Sequence, residues 1–387
     1  LDFRDTPEQA AFRARIEAWI ADELTEDERT PRSIMGDDDS GWRRIQRIRA
    51  KLAASGWSAP AWPVEYGGMG LSVRQQAIFN ETLAYHRLPG PDFIAINYVG
   101  PTLMLYGTDA QKQRFLPPIV RGEEIWCQGY SEPGAGSDLA SLQTRAVLQG
   151  DEFVINGQKI WTSGAHRADW MFILTRTDPE APKHRGISYL LLDMRSPGIE
   201  VRPLVNMAGT HEFNEVFFSD VHVPRTNLVG EQNRGWYVGM ATLDFERSAI
   251  GVSTAARRNL DDLSAVLADA GPLSPEHRLE LADRYIEADV ARLLSLRVLS
   301  MQEAQQVPNY EASVVKVFGS ELNQRTARTA IKLLGLAGQL NSGSAYAPAG
   351  GQWLYQYLRS VANTIEGGSS EIQRNIIATR GLGLPRG

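Results

Sequence analysis

Cysteine is almost missing from these 387 residues: Cys127 stands alone, which excludes an internal disulfide and any cysteine-rich metal centre. The histidines, His86, His166, His184, His211, His222 and His277, fall into no His-x-His or His-Glu-x-x-His spacing, so the sequence predicts no bound metal. Apolar runs long enough to span a membrane, roughly 20 residues, are lacking as well. The first twenty residues, LDFRDTPEQAAFRARIEAWI, carry charges throughout, where a signal peptide would need an apolar stretch. Lysine is scarce, six against thirty-four arginines, which points to a GC-rich bacterial genome and to nothing chemical. The net charge of −6 gives no reason to expect nucleic acid or an anionic membrane as partner. A soluble protein of the reducing bacterial cytoplasm is therefore expected, with no nucleic-acid partner and no membrane insertion.

What is present is the composition of an ordinary globular chain, 43% hydrophobic and 22% charged, long enough for two or three domains. The first third reads as helices. In TPEQAAFRARIEAWIADEL, Thr6 is a natural N-cap with Pro7 at the first helical position, and Phe12, Ile16, Trp19 and Ile20 recur at three- and four-residue spacing. VRQQAIFNETLAYHR and TDAQKQRFLPPIVRG predict further helices. After Gly122 the texture changes to short segments rich in Val, Ile, Phe and Thr: TRAVLQ, EFVING, WMFILTR, GISYLLLD, IEVRPL and NEVFFSDVHVP. The pairs Gly150-Asp151 and Asn156-Gly157 read as turns between them. From Trp236 the helical period returns. The expected architecture is α+β and multidomain: an N-terminal helical domain (1–122), a middle β-barrel-like or β-sandwich domain (123–234) and a C-terminal four-helix bundle (235–387).

Two stretches of the middle region carry chemistry. GYSEPGAGSDLAS, residues 129–141, is expected between a helical segment and a β hairpin and sets Pro133, Gly134 and Gly136 among hydroxyls, so that backbone N–H groups can approach a guest closely. Ser131 and Ser137 add donors suited to a pyrophosphate or the edge of a flat ring; a plain surface turn is the competing reading. The loop is not a dinucleotide-binding Gly-x-Gly-x-x-Gly, because strand rather than helix follows it. In INGQKIWTSG, Trp161 and Ser163 stand at the end of a strand, where an aromatic and a hydroxyl could flank a flat ring. Core packing of that Trp is the bland alternative.

These residues, with FNEVFFSDVHVPRTNLVGEQNRGW and the C-terminal EGGSSEIQRNIIA, resemble the acyl-CoA dehydrogenase family, and the four motifs stand in family order over essentially the whole chain. The resemblance implies FAD, an acyl-CoA thioester substrate and α,β-desaturation to the trans-2-enoyl-CoA. It also implies a glutamate that takes the α-proton, flavin N5 as acceptor of the β-hydride, and reoxidation by an electron-transferring flavoprotein. Position by position, Gln128, Tyr130, Ser131, Gly136 and Ser137 match the flavin-contacting loop, with Ser137 also near the CoA phosphates. Trp161 and Ser163 match residues flanking the flavin ring, Ser369 and Glu371 match positions that touch FAD, and Asp244 and Arg247 match positions along the CoA arm.

The resemblance leaves two carboxylates for the base. Common members read Tyr-Glu-Gly-Thr-Ser-x-Ile-Gln-Arg, with the base seven residues before the Arg; here that position is Gly367, and Glu366 falls one residue early. A slip of one residue in a loop sends the side chain to roughly the opposite side of the backbone. A second family arrangement carries the base on a helix at the start of the bundle, in a Leu-Asp-x-Glu-Arg context, and LDFERSAIG at 243–251 has it. Glu246 shares a helix face with Leu243, Ala249 and Ile250, and a desolvated carboxylate there gains basicity. Glu246 is the preferred base and Glu366 the alternative, with the N–H of Gly367 or of its neighbour Glu366 as one donor to the thioester oxygen.

Some family features are missing. The Arg-x-x-Phe-Gly segment of many homotetramers is absent, and IKLLGLAGQL keeps only Gly335 and Gly338 of the Gln-x-x-Gly-Gly segment, with Lys332 near the place of the Gln. The departures suit the α2β2 actinobacterial members, in which unlike chains share FAD and several of which act on bulky, steroid side-chain-like thioesters. An oligomer is expected, either a homo-oligomer or an α2β2 tetramer with a related chain. Two other readings share the fold: a non-catalytic partner subunit that shares FAD, and an oxygen-using acyl-CoA oxidase or flavin monooxygenase.

Overall fold

The structure, a computed structural model, describes residues 4–30, 39–242, 250–269 and 271–385, the side chains of 241 and 242 excepted. The helices of the first third are α1 (Pro7–Glu23), α2 (Glu26–Arg29), α3 (Asp39–Ala54), α4 (Val73–Tyr85), α5 (Gly100–Tyr106) and α6 (Asp109–Val120). The strands are β1 (Trp126–Gly129), β2 (Arg145–Gln149), β3 (Glu152–Lys159), β4 (Trp170–Arg176), β5 (Ile187–Asp193), β6 (Ile199–Leu204), β7 (Phe213–Pro224) and β8 (Leu228–Val229). Then follow α7 (Gly235–Thr242), α8 (Ile250–Asp269), α9 (Pro275–Glu303), α10 (Tyr310–Leu334), α11 (Gln352–Ser360) and α12 (Ser370–Ile376). Helical segments, β region and helical bundle thus follow one another as expected. Thr6 caps α1 as its sequence predicts: its hydroxyl accepts the Gln9 N–H, and the Gln9 side chain accepts the Thr6 N–H at 3.0 Å.

Contacts divide the chain into two compact units. One holds Arg49–Gly70 and Gly90–Glu246; the other holds Leu1–Ile48, Leu71–Pro89 and Arg247–Gly387. The first is built on an eight-stranded sheet in the order β6-β7-β3-β2-β4-β5-β8, with β1 paired in parallel to β4. β4 and β5 read as near-continuous apolar runs because both faces of the sheet are covered. Along β4, Trp170, Phe172 and Leu174 join a cluster with Trp62, Leu103, Phe115 and Ile119. Met171 and Ile173, which alternate with them, pack instead among Phe153, Ile155, Val216 and Leu190. In the second unit, Ala256 and Leu260 of α8, Ala288 and Ala291 of α9 and Leu322 of α10 form one apolar cluster. Ala77 of α4 and Ile250 of α8 join Leu296 and Leu299 of α9 in another.

Two local expectations are corrected. The segment entering the glycine-rich loop is strand β1 and not helix, since its Trp126 and Cys127 are drawn into the sheet beside Trp170 and Met171. Asn156-Gly157 is not a hairpin turn but lies inside β3. There the register against β7 shifts between Ile155 and Gly157, and Asp220 of β7 takes a positive φ of 49°. Asn156 closes this bulge from across the ladder: its Nδ2 donates to the Asp220 carboxylate at 2.9 Å, and its Oδ1 accepts the Asp220 N–H at 3.0 Å. Gly157 has φ +145°, and a Cβ there would sit 2.7 Å from the Thr144 Cα, so the backbone crossing demands glycine.

Candidate active site

The glycine-rich loop is a tight turn held from below. Glu132 and Ala135 exchange backbone hydrogen bonds at 2.9 and 3.0 Å, which closes the chain over Pro133 and Gly134. Glu132 is itself buried, and its carboxylate accepts the backbone N–H of Gln143 at 2.6 Å and of Thr144 at 2.9 Å. Lys159, fully buried at the end of β3, donates from Nζ to Glu132 Oε1 at 2.8 Å and to the Tyr130 carbonyl at 3.0 Å. Burial draws the Lys159 ammonium down to about 8 against the pull of Glu132. Burial would raise the Glu132 carboxyl, but the ammonium and the N–H donors outweigh it and hold the group below its ordinary range. Downstream, Arg176 donates to the Ala140 carbonyl at 2.6 Å and to the Lys183 carbonyl at 3.1 Å, while Lys183 pairs with Asp138. Held in this way, the turn exposes Gly134, Gly136 and Ser137.

β3 delivers the aromatic. The Ile160 N–H donates to the Ser131 carbonyl at 2.9 Å, which fixes the strand end beside the turn. Trp161 follows with φ +60°, a left-handed conformation rare for so large a residue, and remains 54% exposed. Its ring meets Phe213 edge-on, with centroids 5.8 Å apart. A bulky aromatic held in a strained conformation and exposed is the kind of outlier that marks a ligand site rather than core. Ser163 is exposed too, and behind it the buried Asn214 donates to the Thr162 carbonyl at 3.0 Å. Gln128 and Ser131 are half-buried, whereas the Tyr130 ring turns into the core, edge-on to Phe172 at 5.4 Å. The structure therefore brings Ser131, Gly136, Ser137, Trp161 and Ser163 to one turn-and-strand-end, with Tyr130 serving it through the main chain. Exposed glycine N–H groups, serine hydroxyls and a presented indole suit a flavin nucleotide: phosphates for the turn, a flat ring for the Trp.

In the other unit, the C-terminal loop commits its carboxylate to pairs within its own neighbourhood. Arg359 grips Glu366 in a fork, Nη1 to Oε1 at 3.2 Å and Nη2 to Oε2 at 3.0 Å, and Asn363 Nδ2 donates to Oε1 at 2.6 Å. Glu366 is thereby a paired loop carboxylate, its side chain 43% exposed. Gly367 follows at φ +64° and Gly368 at φ +85°, conformations that glycine adopts freely. The exposed Gly367 N–H meets no acceptor among the described residues, while its carbonyl accepts from Gln373 Nε2 at 3.2 Å. Lys316 of α10 supports the loop through the Asn363 carbonyl at 2.9 Å. Ser369 caps α12 by accepting the Ile372 N–H, and Glu371 stands exposed in the first turn of that helix. Glu246, Asp244 and Arg247 lie outside the described residues.

Sequence reasoning passed over Glu132, Lys159 and Arg176. The available signal was one of only six lysines standing at the inward end of an apolar strand, and an acid set inside a glycine-proline turn.

Models of acyl-CoA dehydrogenase domains match nearly the whole chain: the N-terminal domain over 6–123, the middle domain over 127–221 and the C-terminal domain over 233–382. The chain belongs to the acyl-CoA dehydrogenase family. The acyl-CoA dehydrogenase IpdE1 of Mycobacterium tuberculosis is 39% identical over 383 residues, covering 97% of each chain. The acyl-CoA dehydrogenase FadE26 of the same organism is 38% identical, covering 98% of each. Among solved structures, the Tcur3481-Tcur3483 steroid ACAD superposes with a TM-score of 0.90 at 36% identity over 100% of both chains. As an acyl-CoA dehydrogenase, this chain is a flavoprotein oxidoreductase whose sequence and fold align with a steroid member of the family.

Proposed function

We propose that this acyl-CoA dehydrogenase binds FAD and desaturates a bulky or branched acyl-CoA thioester, of the steroid side-chain kind, to its trans-2-enoyl-CoA. Glu246 acts as the base. The observation that carries this reading is the C-terminal loop: Glu366 is committed to Arg359 and Asn363, while the neighbouring Gly367 offers an exposed N–H. A bidentate pair fixes both carboxylate oxygens toward the guanidinium, so this side chain is turned to its own loop. The free N–H suits the task left to that loop, donating to the thioester oxygen as negative charge builds there during α-proton removal. Glu246, in its apolar sequence context, takes the proton; Asp244 and Arg247 bind the CoA arm; Ser137 meets its phosphates. FAD, when bound, accepts the β-hydride. Gln128, Ser131, Gly136, Trp161 and Ser163 orient it, joined by Tyr130 through its main chain and by Ser369 and Glu371. An electron-transferring flavoprotein receives the electrons.

The test mixes Glu246→Gln and Glu366→Gln enzymes anaerobically with ring-bearing and straight-chain acyl-CoAs while flavin absorbance is followed. Bleaching is expected to vanish in the first variant and to stay within about threefold of wild type in the second. Loss confined to the Glu366 variant would overturn the assignment. Equal rates on both thioester classes would remove the substrate preference.

A further inference from the structure

We propose that Glu132 and Lys159 form a charge-balanced clamp that positions the flavin-binding turn in addition to holding the fold; this rests on the FAD reading above. Four pieces of chain meet at the pair. Lys159 holds the Tyr130 carbonyl at the end of β1 and the Glu132 carboxylate in the turn. The carboxylate in turn holds the Gln143 and Thr144 N–H groups on the approach to β2. Ile160, next to Lys159, bonds the Ser131 carbonyl, so the strand that presents Trp161 is fixed to the same knot.

The energetics point the same way. Burying both charges is costly, and apolar pairs of similar volume commonly serve a fold as well or better. An apolar pair could not, however, satisfy the two N–H groups and the carbonyl now bound, nor dictate the turn's shape. Charge matters as much as shape. The turn offers its N–H and hydroxyl groups to phosphates, yet a carboxylate lies directly in it. Left alone, Glu132 would repel the guest that the turn is built to hold; Lys159, with its side chain fully buried, cancels that charge without reaching solvent. Both are positioning residues.

The test uses the full chain with its partner subunit where one is required, as wild type, Lys159→Met and Glu132→Gln/Lys159→Met. Three readouts are taken: the thermal midpoint, the FAD dissociation constant with the visible spectrum of the bound flavin, and hydrogen exchange at the Glu132 and Ala135 amides in the apoprotein. Lys159→Met is expected to weaken FAD by about tenfold or more and to deprotect both amides. The double variant, lacking the bare carboxylate, is expected to recover part of the affinity while its flavin spectrum remains shifted. Should Lys159→Met fail to fold, the double variant decides through its spectrum and its amide exchange. FAD affinity within twofold of wild type, with unchanged spectrum and amide protection in a folded variant, would overturn the proposal. If wild type itself takes up no FAD, the cofactor reading falls, and the exchange measurement still judges the clamp.

Discussion

At the scale of single residues, the turn is governed by charges that had to be buried to act. Glu132 has a folded-state pKa below its ordinary 4.5, so its contribution to stability is present above that value and is lost as pH falls through the folded value. Acid unfolding followed by circular dichroism should therefore show a component that Glu132→Gln removes, with less pH dependence below 4.5 than in wild type. A wild-type-like acid limb in the variant would contradict the pairing. Trp161 tests a different property. Its φ of +60° is comfortable only for glycine, so Trp161→Gly exchanges backbone strain for lost ring contact with Phe213. The expected outcome is a fold changed by no more than about 1 kcal/mol, measured by denaturant unfolding, together with clear weakening of flavin binding. A variant that holds flavin as tightly as wild type would show the indole to be mere surface. Cys127, by contrast, is a packing residue: burial pushes its thiol up, far from reactivity.

At the scale of elements, periodicity served well where one face of a helix or strand was decided locally. Helix α1 starts at the residue its cap predicts, and β2, β4, β5 and β6 fall within the segments that their β-branched and aromatic runs marked, while β3 runs past its segment to Lys159 and β7 starts before its own at Phe213. β1 escaped notice because four residues hold too little alternation to register. Asn156-Gly157 misled because the pair that makes a good hairpin turn also suits a strand opposite a bulge, and only pairing with β7 separates the two. This gives an element-scale prediction. Gly157→Ala places a Cβ 2.7 Å from the Thr144 Cα, backbone that cannot yield cheaply, so the β region should lose about 2 kcal/mol or more. Thermal unfolding would measure it, and an unchanged midpoint would refute the close approach. In the bundle, Lys332, which stands near the place of a family Gln, is bound to Glu280 at 2.5 Å and so is engaged within its own chain.

For the whole molecule, family membership rests on the agreement of domain models, relatives and structures along nearly the full length of the chain. Assembly is the open biochemical consequence. The sequence lacks the Arg-x-x-Phe-Gly segment of many homotetramers and keeps only Gly335 and Gly338 of the Gln-x-x-Gly-Gly segment. We expect this chain to form an α2β2 tetramer with a related chain, and to retain FAD at full occupancy only in that assembly. Purification alone and with such a partner, compared by flavin-to-protein ratio and light-scattering mass, checks this. A homo-oligomer saturated with flavin would count against it, and a saturated complex that no acyl-CoA bleaches would favour the non-catalytic partner reading. Among the described residues, no helix is long and apolar enough to cross a membrane.

The sequence by itself determined the order of helical and β regions, the family through its four motifs, and the shortlist of carboxylates, because these depend on local pattern and residue chemistry. It could not say that Glu366 would be spent on Arg359, that Lys159 would turn inward to Glu132, or that Trp161 would stand out in a strained corner. The Lys159 outcome depends on which distant segment meets the side chain, and the Glu366 and Trp161 outcomes on how the packed fold bends the local backbone. Pairing across a ladder or between helices is a long-range choice that no single stretch of residues encodes.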